Sequence, residues 1–166
     1  MDNVEASRIG EAGERLFREY ADAQGIPYLW IDQKRETTPA WLRRYEVDGD
    51  AKRPDAIVPT SGDVILVDAK HRKIYGKWGV GYFALDLEDA ERLAETERRL
   101  GKRVLLAYKD NEREDGDWYG ILLNDVLVNG VLRDDGPYGP YYAVALGLFE
   151  RFEEHVDVNR RQERLF

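Results

Sequence analysis

The sequence predicts an α/β fold with a mixed central sheet flanked by helices. Three observations predict it: an amphipathic helix near the N-terminus, an apolar hairpin in the middle of the chain, and a second amphipathic helix that runs into an apolar strand. In chain order the elements are helix, three strands, helix and strand. A length of 166 residues suits one domain. We therefore expect a single domain over 1–166, with a core over about 5–123 and a C-terminal extension over about 124–166.

The first helix is predicted over 5–24, and a glycine at position 25 supplies its C-terminal stop. Its apolar residues recur at helical spacing; they are Ile9, Gly13, Leu16, Phe17 and Tyr20. Two glutamates lie near its start. Glu11 shares a side of the helix with charged residues, so we expect it to be solvated. Glu14 shares a side with small and apolar residues at the margin of the core, where a carboxylate needs a partner or a metal ion.

Three strands are predicted next. Residues 26–31 form the first, and two apolar runs of strand length follow at 56–59 and 64–69. Residues 60–63 between them have the composition of a turn, with a glycine that is free to take a positive φ. A hairpin with this loop has a defined register, because the loop length fixes which residues face each other.

That register brings three charged residues to one face of the hairpin. Asp55 lies directly opposite Asp68, and Lys70 follows two residues later on the same side of its strand. Like charges that face each other across a ladder destabilise it. A divalent cation would offset the repulsion, since Mg²⁺ takes one or two carboxylates and keeps positions for water and phosphate. A slipped register, or exposed acids paired with Arg53 and Lys70, is the alternative.

In this order the motifs resemble the PD-(D/E)xK nuclease superfamily, which includes many restriction endonucleases and archaeal-type Holliday junction resolvases. The matching parts fall within 8–109 and are Gly10-Glu11-Ala12-Gly13-Glu14, Gly25, Pro54-Asp55 and Asp68-Ala69-Lys70. Resolvase-like members open with a helix in which a glutamate follows a glycine after two or three residues, and Glu14 fits that form. The resemblance implies a restriction endonuclease-like αβββαβ core.

The resemblance also implies a site, a cofactor and an activity. Glu14, Asp55, Asp68 and Lys70 would be the catalytic residues. Asp55, Asp68, the carbonyl of Ala69 and Glu14 would hold Mg²⁺, for which Mn²⁺ would be able to substitute. The implied activity is metal-dependent hydrolysis of DNA phosphodiester bonds by an endonuclease of repair, recombination or mobile-element defence. A noncatalytic or partner-dependent nucleic-acid-binding module of the same fold stays open as an alternative, as do an RNA-cleaving enzyme and a homodimer.

A basic, aromatic and glycine-rich segment over 70–83 is a candidate nucleic-acid interface. The candidate contacts, including one residue ahead of the hairpin, are Arg53, Arg72, Lys73, Lys77 and Trp78. Lysines here would hold backbone phosphates, and Tyr75 or Trp78 would stack on a base. The alternative is a loop whose aromatic residues pack against the second helix. Strand alternation points His71 away from Asp68 and Lys70, so we interpret it as structural.

The charge distribution agrees with one basic face on an acidic protein. The whole chain carries a net charge of −8, whereas 52–77 has more lysine and arginine than acid. This pattern fits a protein that meets phosphate at one face only. A solvated charged surface with no ligand is the alternative.

The remaining elements follow from local patterns. Asp86 suits the N-cap of a second helix over 87–100, and a buried strand is predicted over 103–108. Residues 118–123 predict a further strand, while 141–153 suit either a strand or a helix. An insertion over 37–50 would contact substrate or form a surface helix with packed aromatics; its candidate residues are Trp41, Arg43, Arg44 and Tyr45.

Composition excludes several classes of protein. No apolar run approaches the roughly 18 residues of a membrane span. The absence of cysteine excludes disulfides and thiolate zinc sites. The acidic N-terminus lacks the apolar stretch of a secretory signal. We therefore expect a cytoplasmic protein that binds DNA and no membrane.

Overall fold

The structure, a computed structural model, describes residues 3–31, 50–76, 81–113 and 116–156. The helices in these ranges are α1 (Asn3–Gln24), α2 (Leu87–Leu100), α3 (Leu123–Asn129) and α4 (Phe152–Val156), with a short 3-10 helix at Leu146–Leu148. The strands are β1 (Leu29–Trp30), β2 (Ala56–Thr60), β3 (Asp63–Arg72), β4 (Tyr82–Asp86), β5 (Val104–Asp110), β6 (Tyr119–Leu122), β7 (Val131–Arg133), β8 (Tyr141–Ala145) and β9 (Glu150–Arg151).

Six of these strands form a mixed central sheet in the order β1-β2-β3-β5-β6-β9. β3 and β5 are parallel and are joined through α2, whereas the other neighbours are antiparallel. Parallel neighbours need such a crossover connection, and the helix provides it. The three remaining strands form an antiparallel sheet in the order β4-β8-β7. The predicted fold class, a mixed central sheet flanked by helices, is confirmed.

Alternation along β3 divides the core into two layers. Ile65 and Val67 pack with Phe17 of α1 on one face of the sheet. Leu66 packs with Leu93 of α2 on the other face. A side chain of β3 therefore faces α1 or α2 according to whether its position is odd or even.

The hairpin of β2 and β3 has the predicted register. Val58 pairs with Ile65 and Pro59 with Val64. Thr60 also pairs with Asp63, so the loop holds two residues rather than four. Gly62 there has a φ of 78°, a conformation that glycine adopts without a steric penalty.

The first strand is shorter than predicted. Residues 26–31 were expected to be extended, but β1 contains only Leu29 and Trp30. The N–H of Ile26 instead donates to the carbonyl of Ala21 at 2.9 Å, beside Gly25 with a φ of 65°. Ile26 thus belongs to the turn that ends α1, because the last carbonyls of a helix need donors.

The interpretation of 70–83 as one continuous loop is wrong. β3 continues to Arg72, because Lys70 and Arg72 pair with Tyr108 and Asp110 of β5. Tyr82–Asp86 form β4, whose Phe83 is buried against Tyr108 of β5. The ambiguous stretch 141–153 divides into β8, the 3-10 helix, β9 and the start of α4.

Candidate functional site

Asp68 and Lys70 project from the middle strand of the sheet toward α2. Asp68 is 1% exposed and Lys70 is 6% exposed. β3 has neighbours on both sides and a helix above this face, which explains why two charged residues lie so deep. A buried charge is costly unless other groups pair with it, so their surroundings decide what they do.

Asp55 lies one residue before β2, and the regular register stops there. Its N–H donates to the Val67 carbonyl at 2.9 Å, although Val67 is already paired with Ala56, so two residues oppose one as in a β-bulge. Asp55 is therefore beside Asp68 rather than in regular pairing with it, and its Oδ2 accepts a hydrogen bond from the N–H of Ala69 at 2.8 Å. The carbonyl of Ala69 points to the same side of β3 as its N–H, toward Asp55. Asp55, Asp68 and the backbone of Ala69 therefore lie together at the end of the hairpin ladder.

The pKa of Asp55 is raised by its surroundings. Burial, followed by the charge of Asp68, raises the pKa of Asp55 to about 7, although the Ala69 N–H and two lysines act in the opposite direction. A proton on one carboxylate is one way to relieve repulsion between paired acids. A bound cation is another, and it would favour the ionised form of Asp55.

Two further charged residues, Lys52 and Asp89, complete the cluster, and sequence reasoning missed both. Lys70 Nζ lies 3.0 Å from Asp68 Oδ2 and 2.6 Å from Asp89 Oδ2. Lys52 Nζ lies 3.3 Å from Asp68 Oδ1 and 3.0 Å from Asp89 Oδ2. The site therefore combines three aspartates with two lysines.

The sequence contained a signal that Asp89 is buried in the site, but it contained no such signal for Lys52. Asp89 precedes Leu93 and Thr96 on one side of α2, and both of those residues are buried. A carboxylate on the buried side of a helix needs an opposite charge or a hydrogen-bond donor nearby, because burial of an unpaired charge is costly. Lys52 is fixed by backbone contacts, since the Thr96 hydroxyl donates to its carbonyl at 2.5 Å and accepts from its N–H at 3.0 Å.

Opposite charges at close range shift the pKa values of Lys70 and Asp89 toward the charged form of each residue. Burial lowers the pKa of Lys70, but Asp68 and then Asp89 outweigh burial and raise it above the ordinary lysine value. Burial likewise raises the pKa of Asp89, but Lys70 and Lys52 outweigh that effect and lower it below the usual aspartate range. Lys70 is therefore an ammonium ion, held between two acids.

The residues fit a divalent metal ion. Asp68 Oδ2 is buried and accepts no hydrogen bond, because the nearby Lys70 Nζ lies outside hydrogen-bond geometry. Asp55, Asp68 and the Ala69 carbonyl supply the hard oxygen donors that Mg²⁺ prefers. In the described ranges no three His, Asp or Glu residues are grouped so as to hold a metal. A metal here would thus be held by two carboxylates, with a carbonyl, water and phosphate completing its shell.

Glu14 lies on α1, which packs against the other face of β3. A Cβ at Gly13 would lie 2.5 Å from the His71 Cβ, and His71 Nδ1 lies 3.3 Å from the Ile9 carbonyl. His71 therefore points away from Lys70, as strand alternation predicted. Glu14 is half-buried on this helix. The ion pairs of Lys70 are with Asp68 and Asp89. A role for Glu14 in the same site stays a prediction.

The candidate nucleic-acid contacts are spread around the hairpin. Arg53 is half-buried ahead of Asp55, and Arg72 is exposed at the end of β3. Lys73 is exposed and forms an ion pair with Glu112 at 3.1 Å. Lys77 and Trp78 lie outside the described residues, as do Trp41, Arg43, Arg44 and Tyr45 of the insertion. Nucleic-acid binding by these residues stays a prediction.

Comparison with solved structures shows a restriction endonuclease-like fold. The chain is similar to Hjc of Archaeoglobus fulgidus, a Holliday junction resolvase from an archaeal hyperthermophile, with a TM-score of 0.51 and 13% sequence identity. The similarity covers 86% of this chain and 93% of Hjc. No protein-family model and no curated protein matches the sequence. At this identity the likeness concerns the fold alone.

Among the described residues, no helix is both long enough and apolar enough to cross a membrane.

Proposed function

We propose that the protein is a metal-dependent endonuclease that hydrolyses DNA phosphodiester bonds. One observation carries the proposal: Asp55 lies beside Asp68 at the end of the β2–β3 ladder, close enough for the charge of Asp68 to raise its pKa, and Lys70 Nζ lies 3.0 Å from Asp68. Two neighbouring carboxylates repel each other, and a bound cation would offset that repulsion. The motif resemblance rests on these same residues, and the restriction endonuclease-like fold supports the same conclusion.

The metal would be held by Asp55, Asp68 and the carbonyl of Ala69. When bound, Mg²⁺ or Mn²⁺ would place positive charge against a non-bridging phosphate oxygen and lower the pKa of its water. Glu14 stays a predicted member of the site, although α1, which carries it, packs on the face of β3 opposite to Asp68 and Lys70. Hydrolysis breaks one P–O bond and forms another, so negative charge grows on the phosphate oxygens in the transition state.

Lys70 would act as a cation rather than as a base. Its ammonium lies 3.0 Å from Asp68 and 2.6 Å from Asp89, and the charges of these two acids outweigh burial and raise its pKa. It would donate hydrogen bonds to the attacking water or to a phosphate oxygen and stabilise the charge that develops there. Asp89 is proposed as a positioning residue, because it holds Lys70 Nζ at 2.6 Å.

A noncatalytic nucleic-acid-binding module is the second candidate. It is favoured by the pairing of Lys52 and Lys70 with Asp68 and Asp89, which balances much of the charge without a metal. In that case the cluster would stabilise the fold, and metal would have no effect on it. A metal-dependent activity distinguishes the two candidates.

Branched DNA is the first substrate to test, because the similar protein Hjc is a Holliday junction resolvase. Supercoiled, linear, single-stranded and four-way-junction DNA, together with RNA, would be incubated with Mg²⁺, Mn²⁺ or EDTA. We expect cleavage of at least one DNA with either metal and none in EDTA. Glu11→Ala is the matched control, since Glu11 is exposed on α1. Cleavage that persists in EDTA would contradict the proposal, as would binding without cleavage under every condition.

A further inference from the structure

A cavity of about 210 Å³ opens between β4 and the turn over 134–140. Four tyrosines and two acids line most of it; they are Tyr75, Tyr82, Tyr138, Tyr141, Asp86 and Asp135. Ala84 of β4 also lines the cavity. Neither the predicted catalytic residues nor the charged cluster lines it. It is therefore a separate feature of the molecule that the proposed chemistry does not use.

The cavity lies next to the charged cluster. Asp86 of its wall comes three residues before Asp89, which is about one helical turn. The carbonyl of Ala84 accepts a hydrogen bond from the Tyr108 hydroxyl at 3.0 Å, and Tyr108 pairs with Lys70 in the β3–β5 ladder. A DNA strand whose phosphate meets Lys70 would thus carry its neighbouring nucleotide toward the cavity.

The tyrosine rings form a stacking surface. Tyr75 and Tyr82 are stacked with centroids 5.7 Å apart and an interplanar angle of 25°. Tyr82 is also covered by the guanidinium of Arg133, 5.2 Å from its ring centroid. The rings still open to solvent are those of Tyr75, 46% exposed, and Tyr138, 76% exposed. An added planar group would extend the existing stack.

The acids of the wall select what enters. Tyr141 donates its hydroxyl hydrogen to Asp135 Oδ1 at 2.9 Å, while Asp86 is exposed at the rim. Carboxylates repel a phosphate but accept hydrogen bonds from the exocyclic amines of adenine, cytosine and guanine. A cationic side chain is the competing occupant, because aromatic rings and carboxylates both attract cations, although Arg133 already covers the Tyr82 ring. The volume is below that of a drug-sized pocket and suits a single planar ring system.

We propose that this cavity binds one unpaired nucleobase of the DNA strand that passes the Asp55–Asp68 site. The inference rests on the proposed nuclease function and adds to it a substrate class, DNA with unpaired bases beside a duplex. Stacking on Tyr75 supplies the affinity, since base–aromatic stacking tolerates every base. The carboxylate of Asp86 favours bases that carry an exocyclic amine over thymine.

The test is fluorescence of a forked DNA with 2-aminopurine as the first unpaired base, with Ca²⁺ in place of Mg²⁺ and again in EDTA. We expect the wild-type protein to quench the fluorophore by stacking. Tyr75→Ala should abolish the quench and weaken fork binding by about ten- to a hundredfold, whereas Tyr75→Phe retains both. Tyr138→Ala on the exposed turn should weaken both in the same direction, and it guards against misfolding of Tyr75→Ala.

Tyr119→Ala is the matched control, because Tyr119 is 37% exposed on β6 and lies outside this cavity. An unchanged quench and affinity in Tyr75→Ala and Tyr138→Ala would overturn the inference. So would binding of a lysine- or arginine-bearing peptide that requires Tyr75 while the base stays unquenched.

Failure of this inference and failure of the nuclease proposal give different results. Wild-type protein that cleaves DNA with Mg²⁺ but never quenches 2-aminopurine keeps its nuclease function and loses the base site. Quenching that depends on Tyr75 without cleavage under any metal keeps the base site and removes the nuclease.

Discussion

The ammonium of Lys70 donates a hydrogen bond to the carboxylate of Asp89 at 2.6 Å, although nineteen residues separate them. The lysine of the proposed motif is thereby held by an acid of the following helix as well as by Asp68 of its own strand. This hydrogen bond joins β3 to α2 through charge, at the point where their apolar packing ends.

A double-mutant cycle should detect this interaction. Asp89→Asn leaves two lysines with one carboxylate fewer, and we expect it to lower the free energy of unfolding by about 1–3 kcal/mol at pH 7. Lys70→Met should cost less in the Asp89→Asn background than in the wild type, with a coupling energy of about 1 kcal/mol or more. Urea unfolding of the four proteins measures both quantities. Additive effects would show that the two residues do not interact.

The pKa of Asp55 predicts an unusual pH dependence of stability. Its folded pKa of about 7 lies above the ordinary value of 3.8, so the folded state binds the proton more tightly. Stability should therefore be retained below pH 4 as far as this group is concerned and be lost as pH rises toward 7. Asp55→Asn should raise the free energy of unfolding by about 2–4 kcal/mol at pH 8 and by little at pH 4. Thermal unfolding at the two pH values checks this, and equal gains at both would refute it.

Two glycines of α1 provide a matched test of its packing on β3. Gly13→Ala should destabilise the protein by about 1–3 kcal/mol, because a Cβ there would lie 2.5 Å from the His71 Cβ. Gly10→Ala meets no atom within 4 Å and should stabilise the helix by up to about 1 kcal/mol. Opposite changes in Tm support the packing, whereas equal stabilisation by both variants would place α1 elsewhere.

Much of the fold was predictable because its signals are local. The hairpin register follows from the turn at Gly62, and α2 follows from the apolar spacing between Asp86 and its terminal glycine. β4 was missed because its partner β8 lies more than fifty residues later in the chain. The local sequence of β4 gives no sign of a partner so far along the chain.

The charged cluster was predictable only in part, for the same reason. Asp55, Asp68 and Lys70 belong to one hairpin segment, so strand alternation in the sequence predicts that they lie together. Asp89 joins them because the parallel connection from β3 to β5 lays α2 over their face. Lys52 joins them because Thr96 holds its backbone, a hydrogen bond between segments 44 residues apart.

Arg72 and Lys73 test the predicted phosphate contacts. Replacing both with alanine should weaken DNA binding by a similar factor for every sequence, since phosphate contacts carry no base information. The slope of log affinity against log salt should become shallower by about one unit for each phosphate that the variant no longer neutralises. Filter-binding assays over a range of salt concentrations measure it. Glu11→Ala is expected to leave both quantities unchanged. If the double variant has the wild-type slope, DNA does not contact the end of β3.

The central claim is that Asp55 and Asp68 form a metal-dependent hydrolytic site, and the rate of DNA cleavage by Asp68→Asn tests it most directly. This variant keeps the shape of the side chain but removes a buried ligand charge that the metal needs. The single-turnover rate would be measured with Mg²⁺ on the DNA that the wild-type protein cleaves best. We predict a fall of about a thousandfold or more, with binding of the same DNA in Ca²⁺ changed far less. A rate within a few fold of wild type would contradict the account.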